Sequence, residues 1–279
     1  ATGPAMAIAI GHTLGAPTLV LLSLCAVGVG ANALGGPLGT WVAVIVAAEL
    51  GKIVSKETKV DILVTPSVTI LSGILVAKLA GPGVSAVMYG FGNLVMTATE
   101  LQPFWMGILV SVIVGIVLTL PISSAALCAS LGLVGLAGGA ATAGCCAQMI
   151  GFAVMSYREN GLGGLAAQGL GTSMLQMGNI TKNPVIWIPP TLAAAITGPV
   201  ATCIFRMENA VAVASGMGTC GLVGPVGVMA SDWFSSGGGF AVMGLVLISV
   251  VLPAVLTPVI AYPFRKAGLI KDGDLKLDL

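Results

Sequence analysis

The residues able to do chemistry in this chain are few, and most gather around two glycine-rich stretches. Gly169-Leu170-Gly171-Thr172-Ser173 and Gly216-Met217-Gly218-Thr219-Cys220 repeat one pattern, G-x-G-T followed by a small residue. Glycine lets backbone approach backbone or ligand, and the hydroxyl that follows can hydrogen-bond a polar solute or cap a short helix whose amides face a cavity. Tight packing of membrane helices through small residues writes the same pattern, so the repeat alone leaves both binding and packing open. Gln168, Gln176 and Asn179 surround the first copy. An uncharged amide offers a donor and an acceptor together, which suits a sugar-like ligand, although a bridge between helices would use the same groups.

Two further residues join Thr172, Ser173, Gln168, Gln176 and Thr219 as candidate solute binders. His12 is the single histidine and lies in the apolar run Ile8 to Gly15. In a bilayer an imidazole needs a partner, either a solute in a cavity or a neighbouring helix. Glu100 ends the polar-dotted stretch from Asn93 and precedes Leu101-Gln102-Pro103-Phe104-Trp105. It belongs either in the hydrated aromatic belt of the membrane interface or, facing a cavity, as an acceptor for a solute's hydroxyls. Glu49 pairs naturally with Lys52 at the interface, and Arg206 with Glu208 makes a loop ion pair worth little.

This is an inventory for binding, not for catalysis. No Ser/His/Asp arrangement is present, and a lone histidine cannot found a histidine-based metal site. The six cysteines (Cys25, Cys128, Cys145, Cys146, Cys203 and Cys220) sit in apolar or glycine-rich surroundings with no C-x-x-C pair, which reads as packing. No metal and no cofactor is expected.

What must position these groups is a membrane. Of 279 residues 57% are hydrophobic and only 8% charged, against about 25% charged in an ordinary soluble domain. The mean hydropathy is +1.06 and is spread over the whole length, so several spans are implied. With 11 Lys and Arg against 10 Asp and Glu, no basic face is available to neutralise phosphates, which excludes nucleic acid as a partner. The chain starts at an alanine, without a basic n-region or a cleavage site, which suggests a preceding segment instead of a signal peptide.

Apolar stretches run near residues 4–30, 38–53, 62–80, 84–99, 104–120, 122–137, 139–156, 160–178, 185–205, 209–230 and 240–264. Lys52, Lys56 and Lys59 form one basic cluster and Arg265, Lys266, Lys271 and Lys276 another, and the positive-inside rule puts both in the cytoplasm. Crossings between two cytoplasmic points must be even in number. Demoting 84–99, which follows Gly81-Pro82-Gly83, together with the glycine-rich 160–178 and 209–230, satisfies that parity. The expectation is an all-α polytopic membrane protein with about eight transmembrane helices and two opposed re-entrant segments, 160–178 from the cytoplasm and 209–230 from outside. Arg158 and Lys182 then fall in the cytoplasm, with Lys78 and Arg206 outside. Residues 1–264 form one integral membrane domain and 265–279 a cytoplasmic polar tail. Irregular backbone at membrane depth requires a covering of protein or water, so paired glycine-rich segments point to a solute site between them. Trp187-Ile188-Pro189-Pro190 opens a span that Thr197-Gly198-Pro199 interrupts, which predicts a kink there.

Four motifs, Leu101 to Gly107, Leu120-Pro121-Ile122-Ser123-Ser124-Ala125, Gly169 to Pro190 and Ser215 to Gly221, resemble the EIIC-type membrane proteins of the phosphotransferase system. The likeness is to the toxin-regulator branch, similar to the perfringolysin O regulator. It covers most of residues 1–279 and is most specific from Gln168 to Thr202. It implies a permease for a sugar or other small polar solute in a bacterial cytoplasmic membrane. It further implies a homodimer and a separate cytoplasmic EIIB-type partner that phosphorylates the solute, since no phosphorylatable Cys or His module lies in this chain. The sugar-transporting branches use a glutamate before proline; here Thr99-Glu100 is followed by Leu101-Gln102 before Pro103, which puts that role of Glu100 in question. The regulator label carries an alternative, a membrane sensor that binds a solute without transporting it and signals to a cytoplasmic partner.

Overall fold

The computed structural model of the protein describes residues 2–277, almost all of them helical. They divide into two compact units, Ala1–Phe91 with Ala129–Leu131, and Gly92–Cys128 with Gly132–Leu279.

In the first unit α1 (Thr2–Thr13) folds back on α2 (Thr18–Val54) through a turn at Gly15, whose φ is +68°. Lipid supplies no hydrophobic drive between helices, so contact depends on small residues that let backbones close. Gly3 and Gly28 meet in this way, and a Cβ on either would strike the backbone of the other. Ala7, Ala31, Ala43, Ala47 and Ala48 fill the same seam, with Val20, Leu24 and Val27. The next helix, α3 (Asp61–Leu101), packs on α2 through Gly73 against Val27 and Ala47, and Gly81 against Gly35. Its start is fixed by Asp61, whose carboxylate accepts from the Lys56 amide at 2.8 Å and from Thr65 at 2.5 Å.

The second unit is built round α6 (Gly135–Met155), whose apolar window is 89% buried. Against it lie α4 (Pro103–Thr119), α9 (Ile188–Pro199) and α13 (Leu252–Lys266). Gly144 of α6 admits the Ser111 carbonyl of α4, and Gly198 of α9 admits Gly107 of α4. Two hydroxyls bind these helices further, Ser111 donating to the Ala194 carbonyl at 2.9 Å and Thr202 to that of Pro103 at 2.7 Å.

Among the described residues five helical runs are long and apolar enough to cross a bilayer: Thr18–Val54, Asp61–Leu101, Gly135–Met155, Pro184–Phe205 and Asp232–Lys266. The difference from the expected eight is largely one of joining. The run Thr18–Val54 joins two helices across Gly36 (φ 60°, ψ −160°) before Pro37, and the two fold back on one another, with Gly51 facing Val20. By contrast α3 runs straight through Gly81-Pro82-Gly83, where a break was expected, because Pro82 removes one hydrogen bond without forcing a stop. Stretch 122–137 holds only α5 (Ser124–Leu131), eight residues and too short to cross.

The two glycine-rich stretches are broken into pieces. The first consists of α7 (Tyr157–Ala166), a π-helical turn at Ala167–Gly171, a 3-10 turn at Ser173–Gln176 and α8 (Met177–Lys182). The second holds α10 (Ala212–Ser215), a 3-10 turn at Cys220–Leu222 and α11 (Val223–Met229). The interruption expected at Thr197-Gly198-Pro199 takes the form of a π-helical Val200–Phe205, ended by Arg206 at φ 51°. After it, α12 (Asp232–Val246) passes through a third π-helical segment, Leu247–Val251, into α13.

Candidate functional site

Along α6 the two repeats lie towards opposite ends. In the second, Ser215 faces Gly138 and Gly218 rests on Cys145 and Cys146; in the first, Gly169 rests on Ile150 and Ala153. They meet between those positions. The hydroxyl of Thr219 donates to the Gly169 carbonyl at 2.6 Å and lies 3.7 Å from the Met149 sulfur. Ser124 secures the second repeat by donating to the Gly216 carbonyl at 2.6 Å.

Beside that junction the only amide of α6, Gln148, stands in a line of polar side chains. Ser173 Oγ is 2.9 Å from Thr119 Oγ1, the Thr119 hydroxyl is 3.4 Å from Gln148 Oε1, and Gln148 Nε2 donates to Thr191 at 3.1 Å. Thr191 in turn donates to the Trp187 carbonyl at 2.7 Å. Thr119, Gln148 and Ser173 are fully buried. Outside the line, a cavity of about 240 Å³ is lined by Ile116, Pro184, Trp187, Ile188, Thr191 and Leu192. That is smaller than the ~300–1,000 Å³ clefts that hold drug-sized ligands. The buried indole N–H of Trp187 has no hydrogen-bond partner among the described residues. The lining is apolar apart from the Thr191 hydroxyl and the Trp187 indole.

The candidate binders separate into four groups. Ser173 and Thr219 enter this central site. Thr172 serves as a helix cap, its hydroxyl accepting from the Met174 amide at 3.2 Å. Gln168 and Gln176, both fully buried, belong to a second cluster: Gln168 donates to Ser156 at 2.8 Å, and Gln176 donates to Gln168 at 3.0 Å. His12 is exposed near the end of α1, and Glu100 is exposed near the end of α3. Thr119, Gln148, Thr191 and Trp187 did not stand out in the sequence. A signal existed for Gln148, the one amide in an otherwise small and apolar run. Nothing marked the threonines, because a threonine within an apolar helix ordinarily bonds its own i−4 carbonyl.

The second cluster holds the chain's own C-terminal segment. After α13, Gly268 (φ +70°) reverses the chain so that residues 269–277 lie across α7 and α8. The Leu275 carbonyl accepts from Asn160 at 2.8 Å and from Gln176 at 3.0 Å, and its amide donates to Glu159 at 2.9 Å. Asn160 also accepts from the Leu277 amide at 2.8 Å, and Asn179 donates to the Lys276 carbonyl at 2.9 Å. The Leu275 and Ile270 side chains are buried with Phe152, Met155, Ile180 and Ile186. Arg265 donates to the Met155 carbonyl at 2.9 Å and stands 3.6 Å from Glu159, an ion pair longer than a hydrogen bond.

Among the described residues no three His, Cys, Asp or Glu side chains gather at metal-binding distance. The arrangement offers neutral hydrogen bonds and an aromatic side chain. The family described as "phosphotransferase system, EIIC" matches residues 1–277. No curated protein and no solved structure matches the chain.

Proposed function

The chain belongs to the phosphotransferase-system EIIC family, and from that premise we propose that it is a permease carrying a sugar or other small polar solute through the seam where the two repeats meet. Family membership and the long apolar helices make it a membrane component of sugar transport. One observation carries the finer reading: Thr219 of the second repeat bonds Gly169 of the first, beside a buried line of neutral polar groups. A solute's hydroxyls can replace those partners one for one, at little cost when it leaves.

The two glycine-rich stretches are read as re-entrant from opposite faces. Supporting this are their broken helices, their places towards opposite ends of α6, and the protein that covers their irregular backbone. The solute passes to a cytoplasmic EIIB-type partner, and the permease works as a homodimer, as the family relation suggests. The second reading, a sensor that binds without transport, rests on the sequence resemblance to the toxin-regulator branch alone; the family match is to the broader EIIC family.

Uptake of radiolabelled sugars into proteoliposomes tests the proposal. Saturable uptake is expected. Replacing Ser173→Ala and Thr219→Val together removes two neutral hydrogen bonds of ~0.5–1.5 kcal/mol each and should raise KM about tenfold. Saturable uptake indifferent to both changes overturns the site, and binding without uptake favours the sensor.

A further inference from the structure

We propose that Glu159, Asn160, Gln176 and Asn179 form a peptide-binding cleft whose resident ligand is the chain's own segment 270–277, held as a releasable latch. The recognition is of main chain. Asn160 donates to the Leu275 carbonyl and accepts from the Leu277 amide, at 2.8 Å each. One carboxamide thereby pairs with main-chain groups two residues apart where the chain leaves the turn at 272–275. Gln176 and Glu159 complete Leu275 at its carbonyl and amide, and Asn179 takes the next carbonyl. One side chain adds selectivity: Leu275 is fully buried among Phe152, Ile180 and Ile186. Asn183 adds a contact to the Asp274 carboxylate at 2.8 Å.

Such a cleft is unusual for a merely structural tail. A tail needed only for packing can rest on apolar contacts, whereas here four side chains of one short region read consecutive backbone groups. Two features make the contact releasable. Lys271, Asp272 and Lys276 keep their charged side chains exposed, and Gly268 gives its root a turn with no neighbour crowding it. The latch also reaches the first repeat, because Gln176 bonds Gln168 while holding Leu275. Under the transport reading, on which this consequence alone rests, release of the latch frees the two glutamines at that end of the seam.

The test needs no transport. A chain truncated after Leu269 and purified in detergent is titrated with a fluorescent peptide of residues 270–277. Saturable binding is expected to the truncated chain and at least tenfold weaker binding to the intact one, whose cleft is occupied. Changing Leu275→Asp in the peptide should weaken binding about tenfold or more, since it puts a charge where a leucine was buried. Equal binding of both peptides, or none to a monodisperse truncated chain, overturns the proposal. Should the truncated chain not fold, the intact chain with Leu275→Cys is treated with maleimide. Slow labelling that excess unlabelled peptide accelerates supports a latch, and a thiol that never reacts in the folded protein overturns it.

Discussion

Gln148 is the residue at which packing and binding can be separated. Each of its neighbours has another partner, Thr119 in Ser173 and Thr191 in the Trp187 carbonyl. Gln148→Met keeps volume while removing the amide, and neither threonine is left unsatisfied. Stability should therefore change by less than ~1.5 kcal/mol, read as a small shift of the thermal midpoint in detergent. If the polar line binds solute, KM for uptake should rise about three- to tenfold; a large loss of stability with unchanged KM would make Gln148 a structural bridge. At this scale the sequence was legible where a residue type is rare in its setting. The G-x-G-T repeats pointed to Ser173 and Thr219, and the amides to Gln168 and Gln176, but those amides bond one another, Ser156 and the Leu275 carbonyl, and a main-chain partner has no signature in residue types. Leu275 is one apolar residue in a charged tail, and only the folded chain shows that it is buried.

Helices in this protein end or bend where glycine allows a backbone that other residues avoid. Gly36 divides α2 at φ 60° and ψ −160°, and a Cβ added there would meet nothing within 4 Å. The strain of Gly36→Ala is thus purely conformational and should cost about 1–3 kcal/mol. Gly83→Ala provides the contrast, since Gly83 also has open space but lies in the regular helix α3; there alanine should be neutral or stabilising by up to ~1 kcal/mol. Thermal unfolding of both variants in detergent checks the pair, and equal effects would mean that α2 is not pinned at Gly36. The contrast explains what the sequence could and could not tell about elements. Hydropathy located the apolar stretches well, yet Gly35-Gly36-Pro37 and Gly81-Pro82-Gly83 look alike on paper. One breaks its helix and the other does not: Gly36 takes φ 60° and ψ −160°, whereas Gly81 to Gly83 stay helical, a difference that residue types alone do not encode.

At the scale of the molecule, the second unit carries most of its cations at one end, while Arg206 lies by the other, its neighbour Met207 facing Gly139. Arg265 contacts Met155 and Glu159 at the C-terminal end of α6, and the segment bearing Lys271 and Lys276 lies across α7 and α8, which carry Arg158 and Lys182. Near the other end of α6, Gly135 pairs with Asn209 through two backbone hydrogen bonds of 2.9 and 3.1 Å, beside Glu208. Charge counted along the sequence could assign these groups to sides only through an assumed number of crossings; the fold brings the basic group together without that count. The positive-inside rule then predicts a cytoplasmic α7 end. Membrane-impermeant maleimide tests this in oriented vesicles, in a background where Cys25, Cys203 and Cys220, the three not fully buried, are replaced by alanine. Gly163→Cys, which meets no neighbour within 4 Å, should label only from the cytoplasmic face, and Ser235→Cys, exposed near the start of α12, only from outside. Labelling of both from one face would put the two repeats on the same side of the membrane. The seam between them could not then alternate its access, and the protein would be a one-sided binder of solute, which is what a sensor requires and a permease cannot be.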